Sequence, residues 1–267
     1  LLYTGATAST DRNFTLTAGT TSTVNVATAA STLTITGAST NTTGALTKAG
    51  TGTLKLSGAN LYTGLTTINA GALQYGAANA LSTGAVTVND GGTYDLNGFS
   101  DSIGALTVNS GVTGGAVTTG AGTLTLTGNI ASTGGAANAS ISGNLAFAAT
   151  RTITTTNAAD GLTVSAVISG AGGVTKAGAG TVTLSGANTY TGVTTINAGV
   201  LSANTVATEG AGGGVASSIG ASGNAATNLV LGGGTLLYTG ATASTDRNFT
   251  LTAGTTSTVN VATAAST

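Results

Sequence analysis

Five residue types are missing from this chain of 267 residues: cysteine, proline, methionine, tryptophan and histidine. Without cysteine the chain can form neither a disulfide framework nor a thiolate metal site, although this absence does not decide its compartment. Without histidine it lacks the side chain that most often shuttles protons near neutral pH. Several common kinds of catalytic and metal centre are therefore excluded.

Charged residues are also scarce, at 5% of the chain against about 25% in an average soluble domain. Six basic and seven acidic residues give a net charge of −1. Since the chain has no basic stripe to bind a phosphate backbone, we expect no nucleic-acid partner. No run approaches the ~18 apolar residues of a transmembrane helix, so we expect no membrane insertion of this segment.

Threonine and glycine dominate what is present, with 59 Thr and 44 Gly. Threonine is β-branched and suits a pleated strand, whereas glycine supplies the positive φ angles of tight turns. Glutamate, glutamine and lysine, which favour helices, number only one, one and three. The composition therefore predicts many short strands joined by many tight turns.

A perfect repeat is the strongest signal in the sequence. Residues 1–32, LLYTGATASTDRNFTLTAGTTSTVNVATAAST, recur unchanged at 236–267. Leu1 corresponds to Leu236, which lies inside the run GGGTLLYTG, so we expect the chain to begin within a strand. We predict that residues 1–235 form one unit of a tandem array and that residues 236–267 start the next identical unit.

A second repeat lies inside this unit. Residues 46–73 read LTKAGTGTLKLSGANLYTGLTTINAGAL and residues 174–201 read VTKAGAGTVTLSGANTYTGVTTINAGVL, with 21 of 28 positions identical. Self-similarity of this kind is typical of a stack in which each unit contacts only its neighbours.

Short runs of alternating apolar and polar residues predict β-strands with one buried face. Aliphatic residues of these runs recur at a near-constant step of about 20 residues, at Leu106, Leu124, Leu145, Val164, Val182 and Leu201. This step fits one turn of a β-helix with three short strands per coil. We therefore predict an all-β solenoid with roughly 12 coils of about 20 residues in each unit. The absence of proline agrees, because interior coils use their backbone N–H groups to bond the next coil.

The two internal repeats also resemble a known family. The segments TKAGTGTLKLSGANLYTGLTTINAGAL and TKAGAGTVTLSGANTYTGVTTINAGVL resemble the autotransporter-associated β-strand repeat of autotransporter passengers and other very large bacterial surface proteins. The stretches DGLTVSAVISGAGGVTKAGAG at 160–180 and NLVLGGGTLLYTG at 228–240 resemble the flanking coils of that family. The resemblance implies a right-handed parallel β-helix, export across a Gram-negative envelope to the cell surface or beyond, and an adhesive or scaffolding role.

Asp90, Asp95 and Asp101 are the only cluster of carboxylates in the sequence. Polysaccharide-cleaving enzymes place two carboxylates about 5–10 Å apart in a cleft, with aromatic or arginine side chains that position the substrate. Here the local aromatic residues, Tyr94 and Phe99, read as inward or turn residues. We interpret the three carboxylates as structural turn acids and expect no catalytic residue, no cofactor and no enzymatic activity. A polysaccharide-active enzyme is the weakest alternative.

Other motifs also favour structural interpretations. The stretch GGTYD at 91–95 resembles a calcium-binding GGxGxD repeat, but Tyr94 replaces its required glycine, so we expect no metal site. The glycine-rich run GAGGG at 210–214 lacks the lysine and helix of a phosphate loop, and we interpret it as a flexible turn or small protrusion. The Thr-x-Thr pairs are out of register from coil to coil, which disfavours an ice-binding face.

Lys48 and Lys176 occupy the same position in the two internal repeats. An isopeptide crosslink to a nearby Asn or Asp is one interpretation. We favour solvated lysines that discourage lateral sticking of the sheet.

The remaining polar pairs of the repeats are interpreted in the same way. We expect Asn69 and Asn197 to lie at corners and to bond their own backbone. Tyr62 and Tyr190 are expected to pack against a corner and not to stack on a ligand. The pair Asp11–Arg12 and its copy, Asp246–Arg247, are expected to be exposed turn residues of little energetic weight.

These features favour a structural segment of a giant secreted, repetitive β-solenoid that forms a bacterial surface or extracellular fibre, such as a stalk, a biofilm matrix strand or an adhesion filament. The alternative is an adhesin passenger that displays a binding tip outside this segment. The expected partners are adjacent identical repeats of the same chain. Lateral self-association into bundles and binding to surface glycans or other cells are further candidates.

Overall fold

The computed structural model describes residues 1–136 and 138–262. The predicted start of a second unit at 236–267 therefore extends, at 263–267, outside the described residues. None of the helical structure described has the length and apolar composition that a membrane-spanning helix requires.

The described residues form 26 short strands and one turn of 3₁₀ helix at Ala226–Asn228. In chain order the strands are β1 Leu2–Tyr3, β2 Ala8–Thr10, β3 Thr21–Val26, β4 Thr32–Ile35, β5 Ala45–Ala49, β6 Thr53–Leu56, β7 Thr66–Ile68, β8 Gly71–Tyr75, β9 Val86–Val88, β10 Gly92–Asp95, β11 Asp101–Ile103, β12 Leu106–Val108, β13 Ala116–Leu126, β14 Ile130–Ser132, β15 Ala139–Ala146, β16 Arg151–Thr155, β17 Gly161–Val164, β18 Val167–Ser169, β19 Val174–Ala177, β20 Thr181–Leu184, β21 Thr194–Ile196, β22 Val200–Ala203, β23 Leu229–Leu231, β24 Thr235–Tyr238, β25 Thr250–Leu251 and β26 Thr258–Val261.

The strands stack into a parallel β-solenoid of about 11 turns, which confirms the predicted fold class. Sheet A contains 12 strands in the order β1-β3-β5-β7-β9-β12-β14-β16-β19-β21-β23-β25. Sheet B contains 14 strands, of which 12 follow the order β2-β4-β6-β8-β10-β13-β15-β17-β20-β22-β24-β26. The last two, β11 and β18, pair with the ends of β13 and β15 and form a shorter third face.

The register between neighbouring coils shows how long each coil is. Leu54 pairs with Leu73 across a short coil, whereas Ile196 pairs with Leu231 across the longest one. Most coils are slightly longer than the predicted ~20 residues, because the corners between faces vary in length. Because the corner lengths vary, the aliphatic residues that are evenly spaced in the sequence do not all lie on the same face of the solenoid. They lie on sheet A at Leu106, on the third face at Leu124 and Leu145, and on sheet B at Val164, Val182 and Leu201.

The register aligns like side chains in columns along the axis. An inward column on sheet B is buried over four coils, at Leu33, Leu54, Leu73 and Tyr94. An outward column on sheet A consists of threonines, at Thr47, Thr67, Thr87 and Thr107. Burying each aliphatic side chain contributes roughly 1.5–3 kcal/mol, so the continuous inner column is the main source of stability.

The two copies of the repeated segment share one strand pairing and a turn, but they lie on different sheets, and β2 Ala8–Thr10 has no counterpart strand at 243–245. Leu2 pairs with Asn25 on sheet A, and the equivalent residues, Leu237 and Asn260, pair on sheet B. Their turns also agree, since the backbone N–H groups of Arg12 and Arg247 each donate to the Thr hydroxyl two residues earlier. The predicted unit boundary at residue 235 stays a prediction.

Stacked glycines form the corner between the third face and sheet A. Gly64 lies directly over Gly44, and a Cβ added at Gly64 would collide with the Gly44 carbonyl oxygen. A backbone carbonyl cannot move aside as the end of a flexible side chain can, so this corner requires glycine.

Replacing this glycine should destabilise the whole stack. We expect Gly64→Ala to lower the free energy of unfolding by about 1–3 kcal/mol, because the coils must move apart to admit the methyl group. Urea denaturation measures the change. Gly212→Ala is the matched control, since its added Cβ would meet nothing within 4 Å. Equal midpoints for the two variants would contradict this account of the corner.

Candidate functional site

The three carboxylates of the predicted cluster lie on different sides of the solenoid. Asp90 is at the corner between sheets A and B. Asp95 lies on the outer side of sheet B, where it accepts a hydrogen bond of 2.8 Å from the Gln74 amide. Asp101 is buried on the third face. The three therefore do not converge on one cleft as a glycosidase would require.

Asp90 holds a turn of the next coil. Its carboxylate accepts hydrogen bonds from the backbone N–H groups of Val112, Thr113 and Gly114 at 2.7–3.0 Å, and from the Thr113 hydroxyl at 2.9 Å. These donors lower the pKa of Asp90 to about 2. The arrangement stabilises the turn and leaves the carboxylate oxygens occupied.

Asp101 belongs to a buried network that the sequence did not reveal. Tyr75 donates its hydroxyl hydrogen to Asp101, and the Tyr94 hydroxyl bonds that of Tyr75. The two rings pack edge to face with centroids 5.6 Å apart. Burial raises the pKa of Asp101 and of both tyrosines. All three polar groups are used inside the core.

The prediction that Lys48 and Lys176 are solvated is wrong, because both side chains are fully buried. The Lys48 Nζ donates to the carbonyl oxygens of Ala49, Gly50 and Ala70 at 2.8–3.1 Å. Lys176 makes the same three contacts at 2.7–3.2 Å in the second repeat. These partners are backbone carbonyls, and none of them is the side-chain carboxyl or carboxamide that an isopeptide bond with lysine requires.

The sequence did carry a signal for this burial. Leu46, Thr47 and Lys48 are consecutive residues of β5, and their side chains alternate inward, outward and inward. Period two therefore places Lys48 on the same inner face as Leu46. Because lysine rarely lies in a core, its residue type favours a solvated side chain and opposes this signal.

Tyr62 and Tyr190 are fully buried, in agreement with the predicted packing. Their hydroxyls bond the hydroxyls of Thr66 and Thr194, at 2.9 and 2.8 Å. Burial raises the pKa of both tyrosines. Neither ring faces a ligand-accessible surface.

Asn60 and Asn188 are buried equivalents that sequence reasoning missed. The Asn60 side-chain amide donates to the carbonyls of Gly58 and Ala80 at 2.9 and 2.7 Å. Asn188 donates to Ser218 at 2.9 Å and accepts from the Ile168 N–H at 2.8 Å. Their position in the shared SGAN motif was the available signal.

Asn69 and Asn197 lie at corners between sheets A and B, as predicted. The expected bond of Asn69 to its own backbone is replaced by a ladder. Asn89 donates its side-chain amide to Asn69 at 2.7 Å, and Asn109 donates to Asn89 at 2.8 Å. Corners of successive coils lie close enough for side chains to bond along the axis, which no single-coil interpretation anticipates.

The prediction of an exposed, weak turn pair is wrong for Asp246–Arg247. Arg247 is buried and its guanidinium contacts the Glu209 carboxylate at 2.6 Å. It also donates to the Ser222 hydroxyl and the Gly220 carbonyl, at 3.1 and 2.7 Å. All three partners lie in an earlier coil, so the contact depends on the stacking of coils.

Residues 204–228 form the extra length of the longest coil, and we name this segment the insertion. It contains the glycine-rich run at 210–214, predicted to be a turn or protrusion. Asp246 fixes that turn by accepting from the N–H groups of Glu209 and Gly210 at 2.7 and 2.8 Å. These bonds lower the pKa of Asp246.

No group of three or more potential metal-ligating side chains occurs in the part of the chain that the structure describes. The polar side chains above bond their own backbone or neighbouring coils. Chemically, these contacts stabilise corners and join neighbouring coils.

The two buried lysines should make stability depend on pH. Burial lowers their pKa from 10.5 to about 8, so the unfolded chain binds more protons between these values. The free energy of unfolding should therefore rise as the pH increases from about 8 to about 10. We expect the double variant Lys48→Met/Lys176→Met to lose this rise, as measured by urea denaturation across the pH range.

Lys55→Thr is the control, because Thr183 occupies the equivalent position of the second repeat and both buried lysines remain. That variant should keep the rise. If the free energy of unfolding of the wild-type chain stays constant over this alkaline range, the lowered pKa of the two buried lysines is refuted.

Comparison with known proteins agrees with this architecture. The family model of the passenger-associated-transport-repeat matches residues 46–74 and 174–203, the segments that contain the buried lysines, asparagines and tyrosines. The adhesin BmaC autotransporter of Brucella suis biovar 1 (strain 1330) is 52% identical over 65 residues, which cover 24% of this chain and 2% of that relative. No solved structure matches the chain. The resemblance found in the sequence is confirmed: this β-solenoid carries two passenger-associated transport repeats, and these are autotransporter passenger repeats.

Proposed function

We propose that this chain is a structural segment of a long surface fibre or stalk on a Gram-negative-type bacterium. The observation that carries the proposal is the uninterrupted stack of about 11 turns, in which the same inner columns continue from coil to coil. Such a stack has paired backbone along its whole length and leaves only its two end coils to be extended. A solenoid of this kind is stiff and lengthens by adding coils.

The sequence repeat supports the fibre over a specific binding site. Residues 1–32 and 236–267 are identical throughout. Uniform stiffness and length benefit from identical parts, whereas one binding site need not be copied. The partners of this segment would then be adjacent repeats of the same chain, and lateral bundling is a further candidate for the fibre.

An adhesin passenger is the second candidate. The relative that matches 65 residues is described as an adhesin autotransporter, which favours a surface role in attachment. In that case the solenoid displays a binding tip that recognises surface glycans or other cells. The match covers only 2% of the relative. A role of this chain in attachment is therefore a proposal.

The enzyme alternative is the least supported of the three. It depended on Asp90, Asp95 and Asp101, and these carboxylates lie at a corner, on an outer face and inside the core. We therefore propose a non-enzymatic role.

Negative-stain microscopy of the native protein tests the proposal. Coils spaced ~4.8 Å apart give the described residues a length of about 50 Å. We expect continuous filaments of uniform width. Chains with more repeats should be longer by about 50 Å for each added unit.

The 267-residue chain itself serves as the length standard, since it should appear as a rod of about 50 Å. Short rods that end in a knob would favour the adhesin passenger. Compact, globular particles would overturn both the fibre and the adhesin.

A further inference from the structure

The insertion connects two parts of the chain that belong to different predicted units. Glu209 lies before residue 235, and its partner Arg247 lies in the second copy of the repeated segment. In the first passenger repeat, the corresponding step runs from Ile68 directly to Val88 and leaves no room for an insertion. The longest coil of the solenoid is thus the one on which the repeated segment is stacked.

The ion pair inside this contact is sealed from solvent. The side chains of Arg247 and Glu209 are 2% and 0% exposed. The second Glu209 oxygen accepts from the Val215 N–H at 3.0 Å, so both oxygens of the carboxylate have partners. A buried charge pair of this kind is strongly disrupted when one partner is removed, because the other charge is left without compensation.

The insertion itself is anchored to the coil beneath it. The backbones of Ser217 and Asn188 exchange two hydrogen bonds, of 3.0 and 3.2 Å, and Ile219 is buried in the core. Residues 217–221 therefore stack on the preceding coil at Asn188. Glu209 is joined to this anchored insertion through its bond from the Val215 N–H.

Asp11–Arg12 is the same sequence without this partner. Both residues are exposed, whereas their copies contact the insertion. The local turns agree: Tyr3 and Tyr238 each donate their hydroxyl to the carbonyl three residues later. These turn bonds are common to both copies, although Ala8–Thr10 form β2 in the first copy and the equivalent residues 243–245 form no strand.

From this we infer that Asp11–Arg12 is a docking site for the insertion of another copy of the unit. The insertion would act as a clamp between successive units, with Glu209 binding the arginine and Asp11 accepting from the N–H groups at the tip of the insertion. The inference rests on the tandem-array part of the proposed function. It assigns a non-covalent contact between successive units of the chain.

Trypsin provides a direct test, because the chain contains six basic residues and no proline. In the native chain we expect rapid cleavage after the exposed Arg12 and little after the buried Arg247. Glu209→Gln should release Arg247 and increase cleavage there on the order of tenfold or more, since cleavage follows the population of the opened state. Mass spectrometry identifies each site, and cleavage after Lys55 serves as the internal reference.

The decisive chain carries a second copy of residues 174–235 ahead of Leu1, which keeps the anchor of the insertion at Asn188 and reproduces the natural junction GGGTLLYTG. The added insertion should protect Arg12 about as well as Arg247 is protected. Glu209→Gln in the added copy should expose Arg12 again. Unchanged cleavage after Arg12 in the extended chain would overturn the clamp.

Exchanging the two charges of the pair distinguishes loss of the contact from a general folding defect of the variants. In the extended chain, Glu209→Arg in the added copy combined with Arg12→Glu should restore the pair and protect the new arginine. Cleavage of that arginine at the rate seen with Glu209→Arg alone would also count against the clamp. Filaments seen by microscopy despite such a result would leave the fibre proposal intact and remove only this junction.

Discussion

Backbone hydrogen bonding between stacked parallel coils is the constraint on which the rest of this structure depends. Each coil lies at a fixed separation of about 4.8 Å from the next, so residues of the sheets have defined partners above and below them. Inner aliphatic residues form columns, as at Leu54 and Leu73, and outer threonines do the same at Thr47 and Thr67. The corner glycines follow from the same constraint, because a Cβ at Gly64 would collide with the coil beneath.

The buried polar residues provide hydrogen bonds to backbone groups that the stacked strands leave without partners. Where the chain turns a corner it leaves the ladder, and its carbonyl groups need donors inside the solenoid. Lys48 and Lys176 each satisfy three such carbonyls, and Asn60 satisfies two. Taken one at a time in the sequence, these polar residues look like candidate functional residues. In the structure their polar groups bond backbone carbonyls and stabilise corners.

One coil departs from the regular pattern, and it does so where the predicted units meet. Its insertion buries Glu209 against Arg247. The identical residues at the start of the chain, including Arg12, are exposed, and the strands around them lie on the opposite sheets. The two copies thus keep their local turns while their environment is set by the neighbouring coil. Stability in such a stack is a sum of coil and interface terms, so a specialised interface can strengthen one boundary without altering the others.

The sequence by itself determined the fold class, the short strands, the internal repeats and the family of the two passenger repeats, because period-two alternation and self-similarity are local properties of the chain. It also placed Asn69 at a corner and indicated that Tyr62 packs within the fold and does not stack on a ligand. Only the tertiary structure decided that Lys48 binds the Ala70 carbonyl of the next coil, that Asp90, Asp95 and Asp101 lie apart, and that Arg247 meets Glu209. The physical reason is that these outcomes depend on which residues lie above one another. That alignment is set by corner lengths that vary between coils, and no single coil of the sequence contains it.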